Sequence, residues 1–240
     1  MNEFTQFANR DVSNLLIRDY NTKKEFENFD YANVTALDMT GDAVFAYGGQ
    51  GHPKRVAFNG DKGGTLKIET QMQTAKMYSL MTGAGIEKTA KWLKRAEIVA
   101  GDGTLTLDES PIGNTVNVYA LDDDCGTLIS STVQDKTVTA EVTSGDTYVV
   151  YYQVELQNVH KLNLKSTTFP KAVEIYGDTW HKTEDDVIVS QKMIVYKAQP
   201  QTNFSVSWSN TGDPATVTIT LDLLADKDNN MLDLIFDEEE

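Results

Sequence analysis

The sequence predicts a mainly β protein of antiparallel strands, with one short α-helix and a small β module inserted into the chain. Three observations carry this. Phe204, Val206 and Trp208 alternate with Ser205, Ser207 and Ser209, and Val217, Ile219, Leu221 and Leu223 alternate with Thr216, Thr218, Thr220 and Asp222. Period-two alternation marks strands with one apolar and one polar face. Only one stretch shows a clear helical period: Met77, Leu80, Met81 and Ala84 fall on one face after Thr74, a suitable N-cap, with Gly83 and Gly85 able to end it. Finally, residues 98–157 keep the strand character of the rest but change its charge, the mark of an insertion.

Taken in order, residues 1–30 read as an N-terminal arm or long loop, in which Asp11–Arg18 is a helical turn or a short strand. Val34–Met39 and Ala43–Tyr47 read as a hairpin about Thr40-Gly41-Asp42, and Arg55–Phe58 and Thr65–Glu69 as a second about residues 59–64. Glu87–Arg95 extends or restarts the helix and buries Trp92 and Leu93. Within 98–157, short strands at Thr104–Leu107, Thr115–Tyr119, Thr137–Val142 and Thr147–Val154 are punctuated by glycines. Longer strands follow at Lys161–Lys165, Lys171–Tyr176 and Val187–Tyr196. Asn203–Ser209 and Thr216–Leu223 then form a C-terminal hairpin about Asn210-Thr211-Gly212-Asp213-Pro214. The expected division is thus an arm (1–30), a β body (31–97 with 158–240) and an inserted acidic module (98–157).

The formal net charge is −15. Residues 101–146 hold nine acids and one base, and residues 225–240 seven acids and one base, so the remainder is close to neutral. Binding of nucleic acid by phosphate neutralisation needs clustered Lys and Arg and is excluded on this pattern. No apolar run approaches the ~20 residues of a membrane span, and the N-terminus lacks the pattern of a secretory signal. The single cysteine, Cys125, rules out an internal disulfide and sits among acids that oppose thiolate formation.

Catalytic signatures are missing from the sequence. His52, His160 and His181 show no zinc spacing, no Gly-x-Ser-x-Gly elbow occurs, and the glycines at 48, 49 and 51 lack the Lys-Ser/Thr of a phosphate loop. Asp226, Asp228 and Asn230 imitate the first ligand positions of a calcium loop, but Met231 stands where that loop needs glycine, so a plain turn is expected and no metal or cofactor. The hydroxyl faces suit a wet lining or a packing surface.

Several stretches resemble phage tail tube proteins. They are Ala46-Tyr47-Gly48-Gly49-Gln50-Gly51 with Lys54–Phe58, Thr65–Gln71 leading into the helix Thr74–Gly83, Phe169–Val173 with Gly177-Asp178-Thr179, and Asn203–Trp208 with Gly212–Thr216. The resemblance covers residues 34–95 and 160–236. It implies an antiparallel β-sandwich or barrel with a flanking helix, a non-enzymatic virion protein made in the host cytoplasm, and no cofactor. Its partners would be further copies of itself, in stacked hexameric rings forming the tail tube, together with sheath or other tail proteins and DNA in transit. Thr65, Lys67, Glu69, Ser205, Ser207, Ser209, Thr216, Thr218 and Thr220 are the candidate ring or lumen positions. The competing readings are another virion β protein, such as a capsid decoration protein or adhesin domain, and a carbohydrate-active or calcium-dependent enzyme.

Overall fold

The computed structural model of the chain describes residues 6–238; the first five residues of the expected arm and the last two of the acidic tail lie outside them. The fold is mainly β, in antiparallel sheets, with one α-helix among the described residues. In chain order the elements are β1 (Phe7–Ala8), β2 (Asn14–Asp19), β3 (Glu25–Phe29), β4 (Val34–Tyr47), β5 (Lys54–Thr70) and α1 (Ala75–Thr82). Then come β6 (Ile86–Val99), β7 (Thr104–Thr106), β8 (Asn117–Ala120), β9 (Ser131–Gln134), β10 (Thr137–Ala140) and β11 (Thr147–Leu162). The chain ends with β12 (Val173–Thr183), β13 (Ile188–Pro200), β14 (Val217–Leu223) and β15 (Leu232–Glu238). They divide into two compact units, one built from the chain up to Gly85 and from Leu162 onward, the other from Ile86–Lys161.

The larger unit is a nine-stranded sheet in the order β3-β2-β12-β13-β14-β5-β4, with β1 added to β12 and β15 to β13. Residues from both ends of this order share one buried cluster. Leu15, Ile17, Phe29 and Ile175 meet Leu66, Ile68, Ile219 and Leu221, so the sheet curls over its own apolar face. Where the two halves meet, the Ser13 N–H donates to Thr35 Oγ1 at 2.9 Å. α1 packs Met77, Leu80 and Met81 into the same core. Thr74 caps it, accepting from the Met77 N–H at 3.0 Å, and Gly83 ends it in a left-handed conformation (φ 70°). A Cβ on Gly83 would lie 2.2 Å from the Phe169 carbonyl oxygen, so only glycine fits there.

Four sequence expectations are corrected. Of the segment read as an arm, Asp11–Arg18 takes its strand alternative, in β2, whereas β3 was not expected, and Leu15, Ile17 and Phe29 are fully buried. Residues 40–42 and 59–64 are strand rather than turn. Gly41 pairs with Lys62, Thr40 with Gly63 and Met39 with Gly64 along one long β4–β5 ladder, with a bulge after Gly41. Glycine is needed here for close backbone approach: a Cβ on Gly64 would sit 2.9 Å from the Asp38 carbonyl oxygen.

The third correction is that Glu87–Arg95 does not restart the helix but belongs to β6, paired with β11, and Trp92 stays 63% exposed. The fourth concerns Asn203–Ser209, which is extended by sequence but belongs to no strand. After Pro200 the Gln201 N–H donates to the Thr220 carbonyl at 2.8 Å, and the chain then leaves β14. Phe204 turns aside to pack on the core near Tyr78, and Trp208 is 90% exposed.

The smaller unit holds two three-stranded sheets, β7-β10-β9 and β6-β11-β8, about Leu105, Val118, Val138, Val150 and Tyr152. It begins at Ile86 and ends at Lys161, wider than the expected 98–157. Its entry and exit strands run side by side: Lys161 Nζ lies 2.7 Å from Glu87 Oε2, and Lys88 Nζ 2.9 Å from His160 Nε2.

One buried carboxylate ties the N-terminal strands to the sheet. Glu174 of β12 sits opposite Arg18 of β2. It accepts from Arg18 Nε and Nη2 at 3.0 Å each, from Lys23 Nζ at 2.7 Å and from the Tyr176 hydroxyl at 2.7 Å. Desolvation acts to raise its pKa, but the hydrogen bonds from Arg18, Lys23 and Tyr176 outweigh it and hold the group at about 2. A folded pKa below the ordinary 4.5 gives stability that is fully present above pH 4.5 and is lost as the pH falls through about 2. Glu174→Gln is expected to cost about 1.5–3 kcal/mol at pH 7, because it removes the charge of a buried carboxylate that accepts hydrogen bonds from a partly exposed Arg18 and an exposed Lys23. In urea unfolding the gap from the parent should shrink as the pH is lowered toward 2.

Because the smaller unit enters and leaves through adjacent strands, joining Gly85 to Leu162 by a short linker is expected to leave the larger unit folded. Circular dichroism should then retain a cooperative β-type melt. Loss of the cooperative transition would show that the nine-stranded sheet depends on the excised strands.

Candidate assembly face

The inner side of the β14–β5–β4 half is apolar, so alternation places every second residue outside. The register aligns them in rows. Thr218 lies opposite Glu69, Thr220 opposite Lys67 and Asp222 opposite Thr65, and these in turn lie opposite Val34, Ala36 and Asp38 of β4. Thr65, Lys67, Glu69, Thr218 and Thr220 are therefore brought onto one face, as the sequence suggested. Val34, Ala36, Asp38 and Asp222 complete it and were missed. Their signal was present in the strand alternation, but only the register shows which strands are neighbours. The face is made of small and hydroxyl side chains, with three acids (Asp38, Glu69, Asp222) against one base (Lys67), and Lys67 is itself paired with Glu69.

Ser205 and Ser207 reach the same side by a different route. With Asn203, Phe204, Thr216, Thr218 and Thr220 they line a groove of about 430 Å³ left where the chain parts from β14. Ser209 does not join them. Its hydroxyl donates to the Thr211 carbonyl at 3.0 Å and accepts from the Thr211 N–H at 3.2 Å, closing a turn.

Beyond this face β4 and β5 continue as a two-stranded ribbon, with Val44 opposite Phe58 and Ala46 opposite Val56, to a tip at residues 48–53. Val44 is 69% and Phe58 59% exposed, and Met39, Tyr47 and Val56 are also bare. Lys54 Nζ lies 3.8 Å from the centroid of the Phe45 ring. A ribbon of two strands is marginal in water unless something covers it.

The calcium-like stretch is the turn between β14 and β15. Asp226 Oδ1 accepts from the Asn230 N–H at 2.7 Å and the Asp228 N–H at 2.9 Å. Desolvation pushes the Asp226 pKa up, but these backbone donors hold it below its ordinary value. The carboxylate is thus engaged as a turn cap, and Asn229 takes the left-handed conformation (φ 65°) that the turn needs. His52 is in the ribbon tip and His181 between the rings of Phe7 and Phe236 in the larger unit, and His160 belongs to the smaller. Among the described residues no group of three or more His, Cys, Asp or Glu side chains is arranged to hold a metal ion.

Sheet faces, a bare ribbon and a hydroxyl groove define a β protein whose distinctive chemistry lies on extended surfaces. The chain belongs to the YomU/Tube protein family, whose model matches residues 9–235. This is a phage tube-like family, and membership supports the resemblance to phage tail tube proteins over nearly the whole chain, including the N-terminal strands and the smaller unit. No curated protein matches the sequence.

Removal of divalent cations is expected to leave the melting temperature unchanged, because the Asp226 turn is closed by its own backbone N–H groups. A melting point that falls in chelator and recovers with added calcium would assign the turn a bound ion, since a ligand of the folded state alone raises stability.

Proposed function

We propose that this protein is the non-enzymatic subunit of a phage tail tube in the virion. Copies close into rings, six to a ring, and the rings stack about a channel that passes DNA without reading its sequence. The observation that carries this reading, beside family membership, is the β4–β5 ribbon. It projects apolar side chains from both strands that nothing among the described residues covers, and a neighbouring copy of a self-assembling protein is the natural cover.

The face of Thr65, Lys67, Glu69, Thr218, Thr220 and Asp222 is assigned to the channel. Small hydroxyls hold water, and an excess of acids over bases keeps phosphates from adhering. Ser205, Ser207 and Thr216 extend that lining along the groove. Sheath or other tail proteins are assigned to the outside of the tube.

Negative-stain microscopy of the purified protein tests the reading, with hollow tubes or stacked rings as the expected outcome. Monomers at every concentration would count against it. Val44→Asp with Phe58→Asp is expected to leave the melting temperature of the unassembled protein within a few degrees of the parent, since both side chains are exposed, while abolishing tubes.

A further inference from the structure

Asn203–Ser209 has the sequence of a strand and none of its bonds. Phe204, Val206 and Trp208 alternate with three serines, yet among the described residues no backbone hydrogen bond joins this segment to any strand. The neighbouring ladder stops short of it: β13 pairs with β14 only from Ala198 to Pro200. Backbone donors and acceptors left this way favour pairing with another chain. Trp208, 90% exposed, adds a large apolar side chain with no cover.

The same chain carries a bare edge. β4 is the last strand of the sheet order and pairs only with β5 among the described strands, leaving its other edge open from Val34 to Tyr47. We infer that Asn203–Ser209 of one copy adds as a strand to the open edge of β4 in a second copy of this chain. The inference rests on the tube reading and names the contact that closes its ring.

Alternation is the argument for this pairing. Strand addition must set apolar residues on the apolar side and polar residues on the polar side. The outer face of β4 is Val34, Ala36 and Asp38, continuous with the hydroxyl and acidic rows of β5 and β14. Ser205 and Ser207 extend that face, while Ser209, tied into its own turn, ends the segment. On the inner side, Leu37 lines a cavity of about 200 Å³ of mixed character, with Leu66, Met193 and Leu234 beside Ser13, His181 and Gln191, and its apolar part gives Val206 and Trp208 a surface to cover. One unpaired strand and one unpaired edge per copy make a head-to-tail contact, the type that closes into rings.

The test uses the full chain with Val206→Pro and Ser207→Pro. Each removes one N–H, and adjacent N–H groups of a strand point to opposite edges. Neither N–H has a partner among the described residues, so both variants are expected to keep the parent's circular dichroism and melting temperature before assembly. At least one of them is expected to lose rings and tubes by negative stain. In the parent, Trp208 emission, isolated by difference from Trp208→Phe, is expected to shift to the blue on assembly. The inference is overturned if both proline variants assemble like the parent. It is equally overturned if their unassembled forms melt early, which would place the strand's partner within its own chain, or if Trp208 emission does not move. Failure of the parent itself to form rings or tubes would instead overturn the tube reading.

Discussion

The larger unit depends on a single constraint: a nine-stranded sheet has to bury one apolar face, and it does so against itself. The curl brings Leu15, Ile17 and Ile175 against Leu66, Ile68 and Ile219, with α1 packed into the same cluster. Every other feature follows from where that curl leaves strands paired or bare. The face turned inward is packed around this apolar cluster. The face turned outward is free to be hydroxyl and acid, because nothing in the core requires anything of it. Fully burying each of these aliphatic side chains contributes about 1.5–3 kcal/mol, so the inner rows fix the register that aligns the outer rows.

The closure is also incomplete in a patterned way. β4 ends the sheet without a neighbour, β13 and β14 part after three paired residues, and β4 and β5 run on past the core as a ribbon. A monomer meant to remain alone usually protects such edges with charge, proline or a covering loop. Here the ribbon leaves Val44, Val56 and Phe58 bare beside its charges, and the parted segment alternates Phe, Val and Trp with serine. Under the proposed assembly that incompleteness has a reason, since each copy in a tube would be completed by its neighbours. The Glu174 cluster works in the opposite sense. It fastens β2 and the turn after it to β12 by a carboxylate with four hydrogen bonds, making the N-terminal strands a fixed part of the sheet.

The class of fold, the helix and the hydroxyl rows were legible because each is written in local periodicity. Thr74, Met77, Leu80, Met81 and Gly83 spell a capped helix within ten residues, and Thr65–Glu69 and Thr216–Leu223 spell half-buried strands. The errors fall where local pattern and long-range pairing compete. Gly41, Gly63 and Gly64 look like reversals, yet they are the points where two long strands approach closely. Glu87–Arg95 has charges and aliphatics compatible with a helix, but pairing with β11 makes it a strand. Asp11–Arg18 left helix and strand open, Phe29 stands nearly alone in its segment, and what decides β2 is pairing with β12 some 160 positions away.

Alternation within each strand, the acidity of two segments, the lack of catalytic motifs and the kinship with tube proteins are all written in the order of the residues. These are properties of short windows and of composition, which no partner can alter. Only the tertiary structure decided that the rows of β4, β5 and β14 form one face, that the N-terminal segment belongs to the sheet, and that Asn203–Ser209 stands unpaired. The reason is that a strand has no neighbours of its own. Its side chains are assigned to faces by the residue, but its hydrogen bonds are assigned by whichever strand the rest of the chain brings alongside.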